Sequence, residues 1–313
     1  MNNPILSIYV ATYNHEHYIT QALDSILMQE TKYTYEVLVG EDCSTDNTRA
    51  ILKEYEKVHP GKLTVFYREH NMHRNEINNA LDLMLRCRGK YIIALEGDDF
   101  WTDPNKIERQ IDFLETHPDY IAVSHLCSVV DHDSRPKNER YPECREEQYS
   151  FRHYLIDILP GQLATVMYRN AFISPQYDAS LLSQRLTPGD RAVYFWLLMN
   201  GKIHCMQERM SAYRHVTDRG SSFSATTKYC FTDYERLYDA LIQFANKVNH
   251  TVASKVAQSL YLRNLVWGIM HSQCSISYFF QHLKKVEGKL GIILEYVVCR
   301  LKNKFFKLKN GIE

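Results

Sequence analysis

No two of the eight cysteines (Cys43, Cys87, Cys127, Cys144, Cys205, Cys230, Cys274 and Cys299) stand close enough to form a CxxC pair. That scatter excludes a structural zinc site of the usual spacing and a disulfide framework, and it fits reduced thiols in a cytosol. Neither sign of charge dominates: Lys plus Arg and Asp plus Glu number 37 each. No global field therefore recruits nucleic acid, and any electrostatic function is local. No stretch reaches the ~18 apolar residues that a membrane span needs. The opening "MNNPILSIYVATYNHEH" has no basic n-region, and Ser7 and Thr12 interrupt its apolar run, so it reads as a first strand and not as a signal peptide. There is no internal repeat. What remains is a chain of 313 residues, 45% hydrophobic and 24% charged, with room for one large domain or two smaller ones around a sizeable core.

Strand and helix signals alternate through the first 125 residues. "ILSIYVATY" (5–13), "YEVLVGED" (35–42), "LTVFYRE" and "KYIIALEGDD" read as strands; "YITQALDSILMQ" (18–29), "TRAILKEYEKVH" (48–59) and "NEINNALDLMLRCRG" read as helices, the last closed by Gly89. Alternation of this kind predicts an α/β fold: a Rossmann-like, mainly parallel mixed sheet flanked by helices. Ligands of such sheets bind beyond the carboxyl ends of the strands. Three of those ends carry polar sets: Thr12-Tyr13-Asn14, Glu41-Asp42, and Glu96 to Asp99. The expected organisation is a nucleotide-binding half over 1–125, a less regular acceptor-facing half over 126–227, and a helical C-terminal extension over 228–313.

The stretch "ALEGDDFWTDP" (94–104) poses the sharpest question, because Glu96, Asp98 and Asp99 follow directly on the apolar run Tyr91 to Leu95. Carboxylates crowded at a strand end repel one another, and a bound cation is the simplest offset. A turn before the helix "NKIERQIDFLETHP" explains Asp103-Pro104, but turns do not require two adjacent aspartates after a buried strand. Adjacent carboxylates at such a corner point in different directions, so one can hold a ribose hydroxyl while the other reaches Mg²⁺ or Mn²⁺. In "EDCSTDNT" (41–48), turn and cap chemistry accounts for Ser44, Asp46 and Thr48. It leaves Glu41 and Asp42 unexplained, and Asp42 at a strand terminus can accept hydrogen bonds from a base or ribose. Asp190, at the start of the helix "TPGDRAVYFWLLMNGK" (187–202), is either a first-turn acid that offsets the helix dipole or a base. His215, with Arg214 and Arg219 nearby, is either an ordinary surface or core histidine or a group that clamps a diphosphate or ligates a metal.

Taken together, "ATYN", "EDCSTDNT", "EGDDFWTDP" and "PGDRAVYFWLLMNGKI" followed by "MSAYRHV" resemble the family 2 glycosyltransferases, inverting enzymes with the A-type nucleotide-sugar fold. The resemblance covers roughly residues 4–225, with the motifs in order and spacing. It implies that Thr12, Tyr13 and Asp42 bind uracil, that Asn14 and Glu41 belong to the same nucleotide-binding set, and that Arg74 is a further nucleotide contact. It also implies that Asp98 faces ribose, that Asp99 holds Mn²⁺ or Mg²⁺ with His215 as an added ligand, and that Asp190 is the catalytic base. The acid that usually precedes that base is here Gly189, as in a branch of the family that reads "GD". Transfer from a nucleoside diphosphate to a hydroxyl needs this equipment in any case: a base for the acceptor proton and a cation for the departing diphosphate. The partners implied are a nucleotide-sugar donor, most simply a UDP-sugar, and a bacterial surface glycan or lipid-linked oligosaccharide acceptor; nucleic acid is not among them. A non-catalytic nucleotide-sugar-binding partner in a glycan-assembly complex would need Asp42, Asp98 and Asp99 but not Asp190. A nucleotidyltransferase would want a glycine-rich, basic phosphate loop near the N-terminus, and "ATYNHEHY" offers none.

From "SYFFQHLKKVEGKLGIILEYVVCRLKNKFFKLKN" onward, apolar residues at helical spacing accompany Lys284, Lys285, Lys289, Arg300, Lys302, Lys304, Lys307 and Lys309 against Glu287 and Glu295. Such a segment is either a packing helix with a solvated basic face or an amphipathic helix on an anionic membrane surface. The second reading places a cytoplasmic protein on the inner face of the cytoplasmic membrane.

Overall fold

Leu6, Ile8 and Val10 are fully buried on β1 (Leu6–Thr12), and the residues between them are almost equally enclosed. A strand covered on both faces belongs in the middle of a parallel sheet. The computed structural model, which describes residues 3–73, 75–216 and 229–286, places it there. β1 pairs in parallel with β2 (Tyr35–Glu41) on one side and with β4 (Tyr91–Glu96) on the other, and β2 pairs in parallel with β3 (Thr64–Tyr67). The register sets Ala11 opposite Glu96 and Thr12 opposite Glu41, so the three polar strand ends emerge along one edge.

Beyond β4 the sheet turns mixed. β8 (Met167–Arg169) runs antiparallel to β4 and to β6 (Tyr120–Val130). β6 pairs in parallel with β9 (Lys202–Arg214), and the two-residue β5 (Phe100–Trp101) and β7 (Gln148–Tyr149) run antiparallel to β9. The order is β3-β2-β1-β4-β8-β6-β9-β5, with β7 also on β9.

Helices α1 (Ile19–Leu27), α2 (Thr48–Val58), α3 (Asn79–Arg86) and α4 (Lys106–Thr116) follow β1, β2, β3 and the β4–β5 corner. α1 buries Ile19, Ala22, Leu23 and Ile26, and α4 buries Ile107, Ile111 and Leu114, all in one cluster with β1 and β4. Each of the leucine and isoleucine side chains contributes about 1.5–3 kcal/mol. α3 is shorter than its sequence pattern suggests. Asn78 caps it by accepting from the Leu81 N–H at 2.9 Å, and the chain is already extended at Cys87. Gly89 then passes so near β1 that a Cβ there would lie 2.5 Å from Ser7 N, which makes it a close-approach glycine and not a helix cap.

The chain divides into two compact units. The first holds the sheet and takes the described residues of 1–149, 160–185 and 200–227; the second takes those of 150–159, 186–199 and 228–313. The boundary expected at 125/126 falls inside β6, whose long pairing with β9 joins both halves into one sheet. In the second unit, α5 (Phe151–Leu155), α6 (Gly189–Asn200), α7 (Phe231–Lys247) and α8 (Thr251–Met270) pack around Tyr154, Phe195, Trp196, Leu241 and Tyr261. Asp157 receives Arg263 in a fork, Nη1 to Oδ2 at 2.7 Å and Nη2 to Oδ1 at 2.8 Å, and Arg191 pairs with it at 2.9 Å.

α9 (Ile276–His282) buries none of its residues, and Ile276 and Phe280 are exposed. No helix among the described residues is long and apolar enough to cross a membrane. The expected basic tail from Glu287 onward lies outside the described residues, as do Arg74 and Arg219.

Candidate active site

β4 delivers the three acids. The strand ends at Glu96, the Gly97 N–H donates to Ala11 O at 3.0 Å, and the Asp99 N–H turns back to Glu96 O at 3.0 Å. This tight corner brings one oxygen each of Glu96, Asp98 and Asp99 within 4.8 Å of one another. Gly97 is required for the fold of the corner: a Cβ there would stand 2.6 Å from Thr12 Oγ1 and 2.7 Å from His15 Nδ1. The sequence "EGDD" therefore combines the acids with the one residue that lets β1 approach them.

Asp99 is buried, with both oxygens occupied by N–H donors. Oδ1 accepts from the main-chain N–H of Arg214 at 2.7 Å and Oδ2 from Gln162 Nε2 at 2.6 Å. Gln162 is itself oriented, because its Oε1 accepts the Ala164 N–H at 2.7 Å. Burial, then the charges of Asp98 and Glu96, push the Asp99 carboxyl well above the usual range, against the pull of the Arg214 N–H and guanidinium. Asp98 is also buried, with Oδ2 3.8 Å from His15 Nε2. His15 reaches Thr12 Oγ1 at 3.3 Å, and its own N–H donates to Thr48 Oγ1 at 2.8 Å. The carboxylates offer hard oxygen ligands and a repulsion that a divalent cation relieves, so these residues fit Mn²⁺ or Mg²⁺.

The β1 and β2 ends meet beside this cluster. The Asp42 N–H donates to Thr12 O at 3.0 Å, and Asp42 Oδ1 accepts from Met72 N at 2.8 Å. Among the described residues nothing hydrogen-bonds Asp42 Oδ2. Burial raises the Asp42 carboxyl, opposed by the Met72 N–H and by Arg68.

Glu41 and Asn14 make hydrogen bonds at the two strand ends. Glu41 is fully buried; Oε1 accepts from Ser44 N at 2.6 Å, and Oε2 pairs with Arg49. Asn14 adopts φ 54°, a left-handed conformation that asparagine tolerates. Its N–H donates to Ser44 Oγ at 3.0 Å, and its Oδ1 accepts from Thr45 N at 2.8 Å. Both residues brace the two turns against each other, and Tyr13 stands half-buried between Thr12 and Asn14.

His215 is not brought to the acids. It lies one residue past the end of β9, whose last residue, Arg214, is 1% exposed. His215 Nδ1 meets Glu139 Oε2 at 2.6 Å and its ring stacks on Tyr213. Among the described residues the acidic group comprises Glu96, Asp98 and Asp99 without a histidine.

Asp190 belongs to the second unit, in the first turn of α6, where its Oδ1 accepts from the Arg191 N–H at 2.8 Å. It is half-buried. Burial raises its carboxyl above the usual range, against the Arg191 charge and the N–H groups of the helix start. A raised pKa suits a carboxylate that must take a proton near neutral pH.

Sequence reasoning missed Gln162 and His15 and named Arg214 only as a neighbour of His215. Gln162 sits in "GQLAT", where it caps the short turn Leu163–Thr165 that packs on β4, and that turn carries it to Asp99. His15 was within the "ATYNH" stretch, three residues after Thr12, and Gly97 was the hint that something packs there.

A family model described as Glycosyl transferase family 2 matches residues 7–181. A Bacillus subtilis protein named as a teichuronic acid biosynthesis glycosyltransferase, TuaG, is 34% identical over 240 residues, 75% of this chain and 90% of that protein. An uncharacterised Mycobacterium tuberculosis protein is 32% identical over 214 residues, 67% of this chain, and the chain spans 58% of that relative's length. Among solved structures, S. aureus TarS 1-349 in complex with UDP-GlcNAc aligns with a TM-score of 0.59 at 18% identity, over 83% of this chain and 71% of that one. That likeness concerns the fold, a mostly parallel mixed sheet flanked by helices with a C-terminal helical region. With a family match over more than half its length and the acidic corner in the expected place, the chain belongs to glycosyltransferase family 2.

Proposed function

We propose that the protein is a metal-dependent inverting glycosyltransferase that moves a sugar from a nucleotide donor, a UDP-sugar, to a hydroxyl of a bacterial surface polysaccharide or lipid-linked oligosaccharide. One observation carries the reading: in a family 2 chain, Glu96, Asp98 and Asp99 gather their oxygens within 4.8 Å beside the Thr12 and Asp42 strand ends. The name of the relative TuaG supports a polysaccharide acceptor, and the ligand of TarS makes UDP-GlcNAc the first donor to test.

In this reading Thr12, Tyr13 and Asp42 hold the base, with Asp42 Oδ2 as acceptor; Asn14 and Glu41 keep that pocket in shape, and Arg74 adds a nucleotide contact. Asp98 faces the ribose, and Asp99, with Glu96 near, holds the cation. A bound Mn²⁺ or Mg²⁺ would supply Lewis-acid stabilisation of the departing diphosphate. Asp190 takes the acceptor proton as the hydroxyl oxygen bonds the anomeric carbon and the bond to the diphosphate breaks, its electron pair leaving with the nucleotide. One displacement inverts the centre and needs no enzyme nucleophile.

A panel of nucleotide sugars tests this without an acceptor. Thermal stabilisation and slow hydrolysis are expected for a UDP-sugar with Mn²⁺ or Mg²⁺ and not with EDTA. Stabilisation by no nucleotide sugar, or equal stabilisation in EDTA, rejects the reading.

The basic tail is proposed as a membrane-surface element that brings the enzyme to a lipid-linked acceptor at the inner face of the cytoplasmic membrane. Exposed Ile276 and Phe280 at its start support this, and each basic residue near an anionic leaflet adds about 1 kcal/mol, falling with salt. The full chain should sediment with phosphatidylserine vesicles at low salt and dissociate as salt rises. Failure to sediment at low salt makes the tail a packing element.

A further inference from the structure

We propose that Arg214 is a positioning residue for the acidic corner, its guanidinium clamping the Asp98–Asp99 turn to the 131–134 loop and to α1 so that the carboxylates keep the spacing a divalent cation needs. The inference rests on the metal-dependent reading above. Arg214 is 1% exposed, and all five of its side-chain N–H groups are used. Nε donates to Asp98 O at 2.8 Å, Nη1 to Asp131 O and His132 O at 2.8 Å each, and Nη2 to Gln21 Oε1 at 2.8 Å and Ser134 Oγ at 3.1 Å. Its main-chain N–H takes Asp99 Oδ1 at 2.7 Å. The Arg214 guanidinium lies over the Tyr18 ring, 4.4 Å from its centre, and Tyr18 Oη in turn bonds His132 Nδ1, fastening the same loop.

The choice of acceptors carries the argument. None of the five donors goes to a carboxylate, and among the described residues no ion pair joins Arg214 to an acid. The guanidinium grips carbonyls, an amide oxygen and a hydroxyl, so its charge sits beside the acids without occupying their oxygens. Part of the repulsion among the acids is thus offset within the chain by a guanidinium held against the Asp98–Asp99 turn. The same saturation leaves no N–H for a diphosphate, so the clamp considered for the 214–219 segment does not extend to Arg214. Only a planar fork reaches five acceptors in these directions; a lysine carries equal charge and three donors from one nitrogen.

The test is Arg214→Lys, folded by circular dichroism, with Mn²⁺ titrated in the presence of UDP and thermal stabilisation as the readout. The wild type should be stabilised, and the variant should need at least about 10-fold more Mn²⁺ for half its shift, excess Mn²⁺ restoring part of the UDP-sugar hydrolysis rate. A lower melting temperature with an unchanged Mn²⁺ midpoint would mean a purely structural role and overturns the proposal. Should Arg214→Lys not fold, the Gln21→Leu/Ser134→Ala double variant decides: it removes the Nη2 acceptors and should raise the Mn²⁺ midpoint about threefold, and an unchanged midpoint rejects the clamp. A wild type that Mn²⁺ and UDP do not stabilise overturns the metal reading, and this inference falls with it; a stabilised wild type with an equally responsive variant overturns only the inference.

Discussion

Asp99→Asn is expected to lower transfer by roughly 10³-fold and to abolish Mn²⁺-dependent nucleotide binding while the protein stays folded. The substitution keeps the shape of the side chain and removes the charge, and it keeps only one of the two accepted hydrogen bonds, because its NH2 group cannot accept from Gln162 Nε2 or the Arg214 N–H. Stabilisation of a leaving diphosphate by a cation is worth several kcal/mol, and about 1.4 kcal/mol is a factor of ten in rate. A second readout separates this from misfolding. Burial and the Asp98 and Glu96 charges raise the Asp99 carboxyl in the folded state. Its contribution to stability is therefore full below the unfolded carboxyl value of about 3.9 and is lost as pH rises through the raised folded value. Without metal, the wild type should lose stability across that window and Asp99→Asn should lose less, whereas Mn²⁺ should recover the wild type alone. Full transfer by the variant, or wild-type transfer in excess EDTA, would falsify the assignment of Asp99 to the metal.

Asp190→Asn should bind the donor as the wild type does yet turn over at least ~10²-fold more slowly, about 2.7 kcal/mol in the barrier. An amide accepts a hydrogen bond from the acceptor hydroxyl but cannot take its proton. Because burial raises the Asp190 carboxyl, wild-type kcat should climb with pH through that raised value, and the variant should lose this limb. Retained turnover would remove Asp190 from the mechanism and favour a nucleotide-sugar-binding partner without transfer. Loss of donor binding together with turnover would make it a structural residue.

Much of this was legible in the chain because parallel strands write their burial as continuous apolar runs and close on polar residues. Leu6 to Val10 and Tyr91 to Leu95 announce central strands, and the polar groups after them mark the ligand edge. Local chemistry also located Asp42, Asp99 and the start of α6. The sequence could not show what each acid faces. Glu41 and Asp42 are adjacent and both acidic, but the first turns into a lattice with Ser44 and Arg49, whereas the second accepts from the Met72 N–H through Oδ1. One residue of pleat separates them.

By itself, then, the sequence determined the α/β alternation, the family and the acidic corner, since these depend on contacts close along the chain or on motifs in fixed order. The tertiary structure decided three things. It joined residues 126–149 to the first unit through the pairing of β6 with β9, paired His215 with Glu139, and brought Arg214 and Gln162 to Asp99 across separations of 115 and 63 residues. Contacts of that span are set by strand order and by which face of a strand a side chain occupies, and a one-residue shift of register reverses the face. The bond between Asp99 and Arg214 exists because β4 and β9, far apart in the chain, end at the same edge of one sheet.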